Sequence, residues 1–123
     1  MSPIPLGSFQ VQSVPHENQH VQHYRLAGKL EGAAVEYEFL ERFRAGLTDP
    51  VTLIAFDFGD VGYLNSTGIG VIVSCVTSAH QQNKKVCFTN MPVKINDLFQ
   101  VVGLFKLVQC HDDVDAAIMA QAD

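Results

Sequence analysis

Two hydroxyls, Ser66 and Thr67, stand where two apolar runs meet. The first, Val51 to Phe58, reads as a buried strand, and the second, Ile69 to Val76, has helical spacing. The crossing itself reads Gly62-Tyr63-Leu64-Asn65-Ser66-Thr67-Gly68-Ile69-Gly70. A strand-to-helix crossing sets these residues at a helix N-terminus, where the first N–H groups are unpaired and the dipole is positive. A hydroxyl there can cap the helix, bind an anion or accept a phosphate. As a cap, Asn65, Ser66 or Thr67 would accept a hydrogen bond from the first helical N–H groups, a stabilisation of about 1 kcal/mol. The same geometry suits phosphorylation, which adds about -1.5 to -2 charges at neutral pH. A helix N-terminus tolerates that charge without rearrangement of the fold.

Other residue types that could do chemistry fall away on spacing. The glycines Gly59, Gly62, Gly68 and Gly70 are not followed by Lys-Ser/Thr, so they form no P-loop, and Gly68-x-Gly70 lacks the third glycine of a dinucleotide fingerprint. The glycines of this helix start are expected instead to let it pack close to the sheet. His16, His20 and His23 could be imagined around a metal, but on a strand His20 and His23 point to opposite faces. Exposed strand and turn histidines are the expectation. Cys75 lies in an apolar helix and reads as a small core residue. No Gly-x-Ser-x-Gly elbow occurs. Asp57 and Asp60 bracket the end of the strand, but two carboxylates without further oxygen ligands suit a turn better than a cation. No catalytic set assembles, so neither enzymatic activity, nor a metal, nor a cofactor is expected.

Composition narrows the classes further. At 123 residues, 47% apolar and 17% charged, the chain has the make-up of one globular domain. Its apolar stretches are too short to span a bilayer, so no membrane insertion is expected. Met1 to Gln12 has no basic region followed by an apolar one, which argues against a secretory signal. The three cysteines Cys75, Cys87 and Cys110 are widely spaced, which favours reduced thiols in a cytoplasm over a disulfide framework. A net charge of -5 disfavours nucleic acid as partner. The only adjacent lysines, Lys84-Lys85, read as a solvated strand start.

The elements that must position Ser66 follow from periodicity. Residues 1–8 form a lead-in with two prolines and a glycine, followed by a single domain over 9–123. Strands are expected over Phe9 to Val14 and His20 to Leu30. Ala33 to Leu47 carries an apolar stripe at Val35, Phe39, Leu40, Phe43 and Leu47, so it reads as a helix ended by Gly46. Val51 to Phe56 is apolar almost without alternation, which suits a strand covered on both faces. The helix after Ser66 should run to about Gln82 and leave at Asn83. Val86 to Phe88 is a further strand. Pro92 opens a helix with Ile95, Leu98, Phe99 and Val102 on one face, and Gly103 fits a left-handed residue past its end. Phe105 to Val108 reads as the last strand, and Asp112 or Asp113 caps a terminal helix carrying Val114, Ala117 and Ile118. The fold class is therefore α/β, a mixed and mostly parallel sheet of about five strands with about four helices.

Phe56-Asp57-Phe58-Gly59-Asp60-Val61-Gly62-Tyr63-Leu64-Asn65-Ser66-Thr67-Gly68-Ile69-Gly70 resembles the signature of STAS domains of the anti-sigma-factor-antagonist type. In that family an apolar strand ends in Asp, and a short turn leads to Asp-Ser-Ser/Thr-Gly-Leu-Gly at a helix start. Leu26-Ala27-Gly28-Lys29-Leu30-Glu31 resembles the family's Gly-x-Leu-Asp segment, with Glu31 where Asp is usual. The element order matches from about residue 9 to 120 and implies a STAS-like sandwich. The resemblance implies a cytoplasmic bacterial partner-switching protein. Unphosphorylated, such an antagonist binds an anti-sigma factor that is a serine kinase; the kinase inactivates it by phosphorylation, and a PP2C-type phosphatase restores it. Ser66 is expected from its place to cap the helix and, carried over by position, also to accept the phosphate, with Thr67 its neighbour. Gly68 and Gly70 shape the helix start, and Asp57 ends the strand. Val61, Tyr63 and Leu64 supply apolar contact to the partner, beside Asn65, Thr67 and Gly68. Asn65 replaces the usual Asp and removes a charge next to the acceptor. That substitution keeps two other STAS classes open: an accessory subunit of an ABC-type lipid transporter, and a nucleotide- or lipid-sensing domain.

Overall fold

Strand β1, Gln10–Val14, lies antiparallel to β2, Val21–Leu30, and every later pairing is parallel. The computed structural model describes residues 9–121, so the lead-in expected over 1–8 lies outside the described residues. Helix α1, Ala34–Ala45, crosses to β3, Leu53–Leu64. Helix α2, Ser66–Gln81, then leads to β4, Lys85–Thr89, and α3, Val93–Val101, leads through a 3-10 turn, Leu104–Lys106, to β5, Gln109–His111. Helix α4, Val114–Gln121, ends the described chain. The sheet order is the chain order, β1-β2-β3-β4-β5. This is the five-stranded mixed sheet with four helices that the alternating pattern predicts.

The central strand explains the layers. Leu53 and Ala55 point to one face, where they meet Val21, Cys87 and Ala117 of α4. Ile54, Phe56 and Phe58 point to the other, under α1, α2 and α3. There Tyr24, Phe39, Phe43, Phe56, Phe88, Phe58 and Phe99 form a continuous chain of aromatic contacts, with centroids 4.9 to 6.2 Å apart in successive pairs such as Phe58–Phe88 and Phe56–Phe88. Burial on both faces is the reason the strand reads apolar without alternation.

Three expectations change. The third strand does not stop at Phe58 or Asp57 but runs to Leu64, so the helix follows it with only Asn65 between. The polar and glycine residues of its second half conceal this, because there only β2 accompanies it. Phe105 to Val108 is not a strand. Gly103 takes the left-handed conformation, with φ of 75°, and turns the chain into the 3-10 turn, so that Leu104 and Val108 enter the core four residues apart. A short apolar run cannot by itself distinguish these periods. Lys84 is also not a solvated residue. Its side chain is buried, and Nζ donates to the carbonyls of Thr48 at 2.7 Å and Val51 at 2.6 Å, tying the end of α2 to the turn before β3.

Candidate functional site

The site is the junction of β3 with α2, held against the turn after β2. Asn65, not Ser66, is the cap. Its backbone is extended, its Oδ1 accepts from the Gly68 N–H at 2.8 Å, and its carbonyl accepts from Ile69 N–H at 2.9 Å. Its own N–H donates to the Leu30 carbonyl at 3.1 Å, and its Nδ2 reaches the Glu31 carbonyl at 3.5 Å. An Asp could accept the capping bond but could not donate that last one. The Asn found here is thus joined to the β2 turn by a contact its side-chain nitrogen alone permits.

Ser66 and Thr67 are the first two helical residues, and both are exposed. The assignment of the cap to Ser66 is therefore corrected: Asn65 takes that bond and leaves the Ser66 hydroxyl outside it. The capping bonds engage the N–H groups of Gly68 and Ile69, so those of Ser66 and Thr67 remain at the open end of the helix. An anion on Ser66 would meet these donors and the positive dipole end.

Gly68 fits where no other residue can. A Cβ at this position would lie 2.1 Å from the Leu30 carbonyl oxygen and 2.5 Å from its carbon, which are backbone atoms unable to swing aside. Close packing at the helix start thus holds for Gly68. It fails for Gly70, which is exposed and would meet nothing within 4 Å. Gly32, with φ of 86°, makes the reciprocal approach: a Cβ there would lie 2.2 Å from the Thr67 methyl.

Of the residues expected to face a partner, Tyr63 and Thr67 are exposed and Asn65 is half-buried. Val61 and Leu64 are buried and pack in the main core, and Gly68 is buried against Leu30. The expectation that these three offer surface contact is corrected: the register shift between Val61 and Tyr63 sets Val61 and Leu64 on the core side and leaves Asp60, Gly62 and Tyr63 outside, while Gly68 is covered by the Leu30 carbonyl. Glu31 keeps its side chain in solvent and serves through its backbone.

Asp57 marks the point where β4 stops pairing, opposite Thr89, while β3 continues. Its Oδ1 accepts from Gly59 N–H at 2.8 Å and lies 3.4 Å from Asn90 Nδ2, and its Oδ2 is 4.0 Å from Arg25 Nε. These bonds hold the first of two register shifts by which β3 gains residues relative to β2. Asp60 is exposed and does not join Asp57 in a cation site; among the described residues no cluster of His, Cys, Asp or Glu suits a metal.

Glu36 belongs to the site although the apolar pattern of α1 does not single it out. It is completely buried, and its carboxylate accepts from Glu31 N–H at 2.6 Å and from Ala33 N–H, so it ties down the turn that carries Gly32 and Glu31. The signal for it in the chain is its place three residues after the N-cap Ala33, the acidic position of a capping box. That signal is weak because acids on amphipathic helices normally face water.

The histidines are not all exposed. His20 is, with Nδ1 2.6 Å from the Pro50 carbonyl, but His16 and His23 are half-buried. His16 Nε2 lies 3.5 Å from Asp115 of α4, and His23 Nε2 is buried without a hydrogen-bond partner among the described residues. Burial lowers the His23 pKa, with the Asp57 charge opposing it. A folded-state pKa below the unfolded value means the unfolded chain binds more protons. Stability is therefore expected to fall as pH drops below about 6.5. In His23→Gln, urea unfolding between pH 7 and 5 should show a shallower pH dependence than the native chain; an unchanged slope would remove His23 as its source. Cys75 and Cys87 are buried thiols pushed up to about 12 by burial, as core residues rather than nucleophiles should be.

The family model for the STAS domain matches residues 13–117. No curated protein sequence matches the chain significantly. Among solved structures, the anti-sigma factor antagonist SpoIIAA in its unphosphorylated form is similar with a TM-score of 0.72 at 17% identity, over 94% of this chain and 98% of the other. An anti-sigma factor antagonist from Mycobacterium paratuberculosis gives 0.76 at 16% identity, over 94% and 96%. The STAS domain of a SulP transporter from Vibrio cholerae gives 0.62 at 16% identity, over 89% and 87%. No helix among the described residues is long and apolar enough to cross a membrane.

Proposed function

The chain belongs to the STAS-domain family, and from that premise we propose that it is an anti-sigma-factor antagonist switched by phosphorylation of Ser66. Unphosphorylated, it binds a serine-kinase anti-sigma factor; phosphorylated, it is released until a PP2C-type phosphatase removes the group. In this reading it is a binding module of the bacterial cytoplasm and not a catalyst.

The observation that carries the reading is Ser66 itself: exposed, first in α2, and free of the capping bond that Asn65 has taken. A hydroxyl used as the cap would have to give up that bond to be modified. Here the cap and the acceptor are adjacent residues, so the helix start survives the reaction. The phosphate would sit beside the open N–H groups of Ser66 and Thr67, where its charge favours the helix. Asn65 in place of Asp also lessens the negative charge next to the incoming phosphate.

Incubation with ATP and the serine-kinase anti-sigma factor from the same source is the test. Phosphopeptide mass spectrometry should find the phosphate on Ser66, and the phosphatase should remove it. Unmodified Ser66 after full turnover conditions overturns the reading. Likeness to transporter STAS domains keeps an accessory role as the competing reading. It predicts co-purification with transporter subunits whatever the charge at position 66.

A further inference from the structure

The last part of β3 has a strand on only one side. β2 accompanies it to Leu64, whereas β4 pairs with it only from Leu53 to Asp57. Among the described residues, the backbone of Asp60 to Leu64 bonds to no element other than β2. Successive residues of a strand direct their N–H and C=O groups to opposite edges, so the edge away from β2 carries donors and acceptors that β4 does not pair, their alternation interrupted by the register shift between Val61 and Tyr63. The edge is firmly held, because Val61 and Leu64 are rooted in the core. It is also bare, since Asp60 and Gly62 are exposed and Tyr63 is 46% exposed. It ends at Asn65, whose neighbour is Ser66.

We propose that this edge, Asp60 to Leu64, is a docking edge that receives an extended segment of the partner protein as an added strand. The proposal rests on the Ser66 reading above and states how the partner engages that site. An extended backbone matches the unpaired donors and acceptors on either side of that shift, which is the chemistry of strand addition. The segment must be short. Asn90 closes the edge at Gly59, where a Cβ would lie 2.3 Å from its Nδ2, and α2 closes it after Asn65. The two register shifts twist the edge, as natural sheets do to prevent indiscriminate pairing.

A second copy of this chain fits poorly. Antiparallel pairing of two copies about Gly62 would set Asp60 opposite Leu64 and, continuing, Phe58 opposite Ser66. The copy's α2 would then begin beside the place already filled by Asn90 and β4. In that register a second copy is disfavoured, and the occupant proposed is a segment of the partner protein. Asp60 disfavours an acidic residue opposite it, and Tyr63 favours a β-branched or aromatic one.

The experiment uses the full chain as Ser66→Ala, which blocks turnover, with the serine-kinase anti-sigma factor from the same source. Amide exchange of the 60–64 segment is expected to slow by at least about tenfold in the complex, as amides gain hydrogen bonds. With this chain isotope-labelled, backbone cross-strand NOEs to the unlabelled kinase should accompany the protection. If native Ser66 is phosphorylated but 60–64 exchanges as in the free protein, or is protected without such NOEs, the edge proposal is overturned and the Ser66 reading stands. If native Ser66 is not phosphorylated and no complex forms, both are overturned.

Discussion

Ser66→Asp is expected to abolish binding to the kinase, whereas Ser66→Ala retains it, with the two variants equally well folded. The asymmetry follows from where the residue sits. Ser66 is exposed at the first position of α2, and Asn65 holds the cap, so neither substitution removes a structural bond. An acid in the first helical turn is favourable by about 0.3–1 kcal/mol, so Ser66→Asp should melt at or slightly above the native temperature. In a complex that covers this position the same charge would be desolvated without a partner, at a cost of several kcal/mol. Each 1.4 kcal/mol is tenfold in affinity. A loss of about a hundredfold or more is therefore expected for Ser66→Asp, and less than about threefold for Ser66→Ala, by titration calorimetry. Equal affinities for the two variants would sink the phosphate switch while leaving the fold untouched. Because stability and binding should move in opposite directions, a merely misfolded variant cannot imitate the result.

The second large effect separates two glycines only two residues apart. Gly68→Ala is expected to destabilise the chain by about 3 kcal/mol or more, the upper range for overpacking, since its Cβ would fall 2.1 Å from a backbone oxygen. Relief would require α2 to lift from β2, breaking the Asn65 bonds to Leu30 and Glu31 with it. Gly70→Ala is expected to be stabilising by about 0.5–1 kcal/mol, because Gly70 is helical, exposed and surrounded by open space. Thermal unfolding should show the first melting lower by about 10 °C or more and the second slightly higher. If the two alanines behave alike, the helix start does not approach β2 as closely as described.

The first prediction turns on adjacent residues and the second on neighbours far apart in the chain, and that contrast marks where the sequence can and cannot be read. Periodicity is enough for α1, α2, α3 and β2, since each has a one-sided apolar stripe or an alternation that only one element satisfies. It is enough for the two-faced burial of Leu53 to Phe58, because a strand with one wet face would need a polar residue at every second position. It fails in the second half of β3, where Gly59, Asp60 and Gly62 imitate a loop. Their exposure comes from the absence of β4 on one side, a fact about another strand's length. It fails again at Val61 and Leu64, apolar residues beside an exposed site that nonetheless belong to the core. Glu36 and Lys84 escape pattern reading for one shared reason. Composition assigns charged residues to solvent, and only the fold reveals backbone groups positioned to satisfy them in the interior.

By itself the sequence determined the layer architecture, the strand-to-helix crossing and the presence of two hydroxyls on it, because these depend on local pattern. The tertiary structure decided which residue of that crossing does which task. Asn65 caps the helix through Gly68 N–H while Leu30 and Glu31 hold it from β2, and Gly68 is obligatory because the Leu30 carbonyl fills the space of a side chain. Ser66 is left exposed because its neighbour has taken the bond it would otherwise make. The bonds that anchor Asn65 to Leu30 and Glu31 span more than thirty positions, and no local period encodes such a bond.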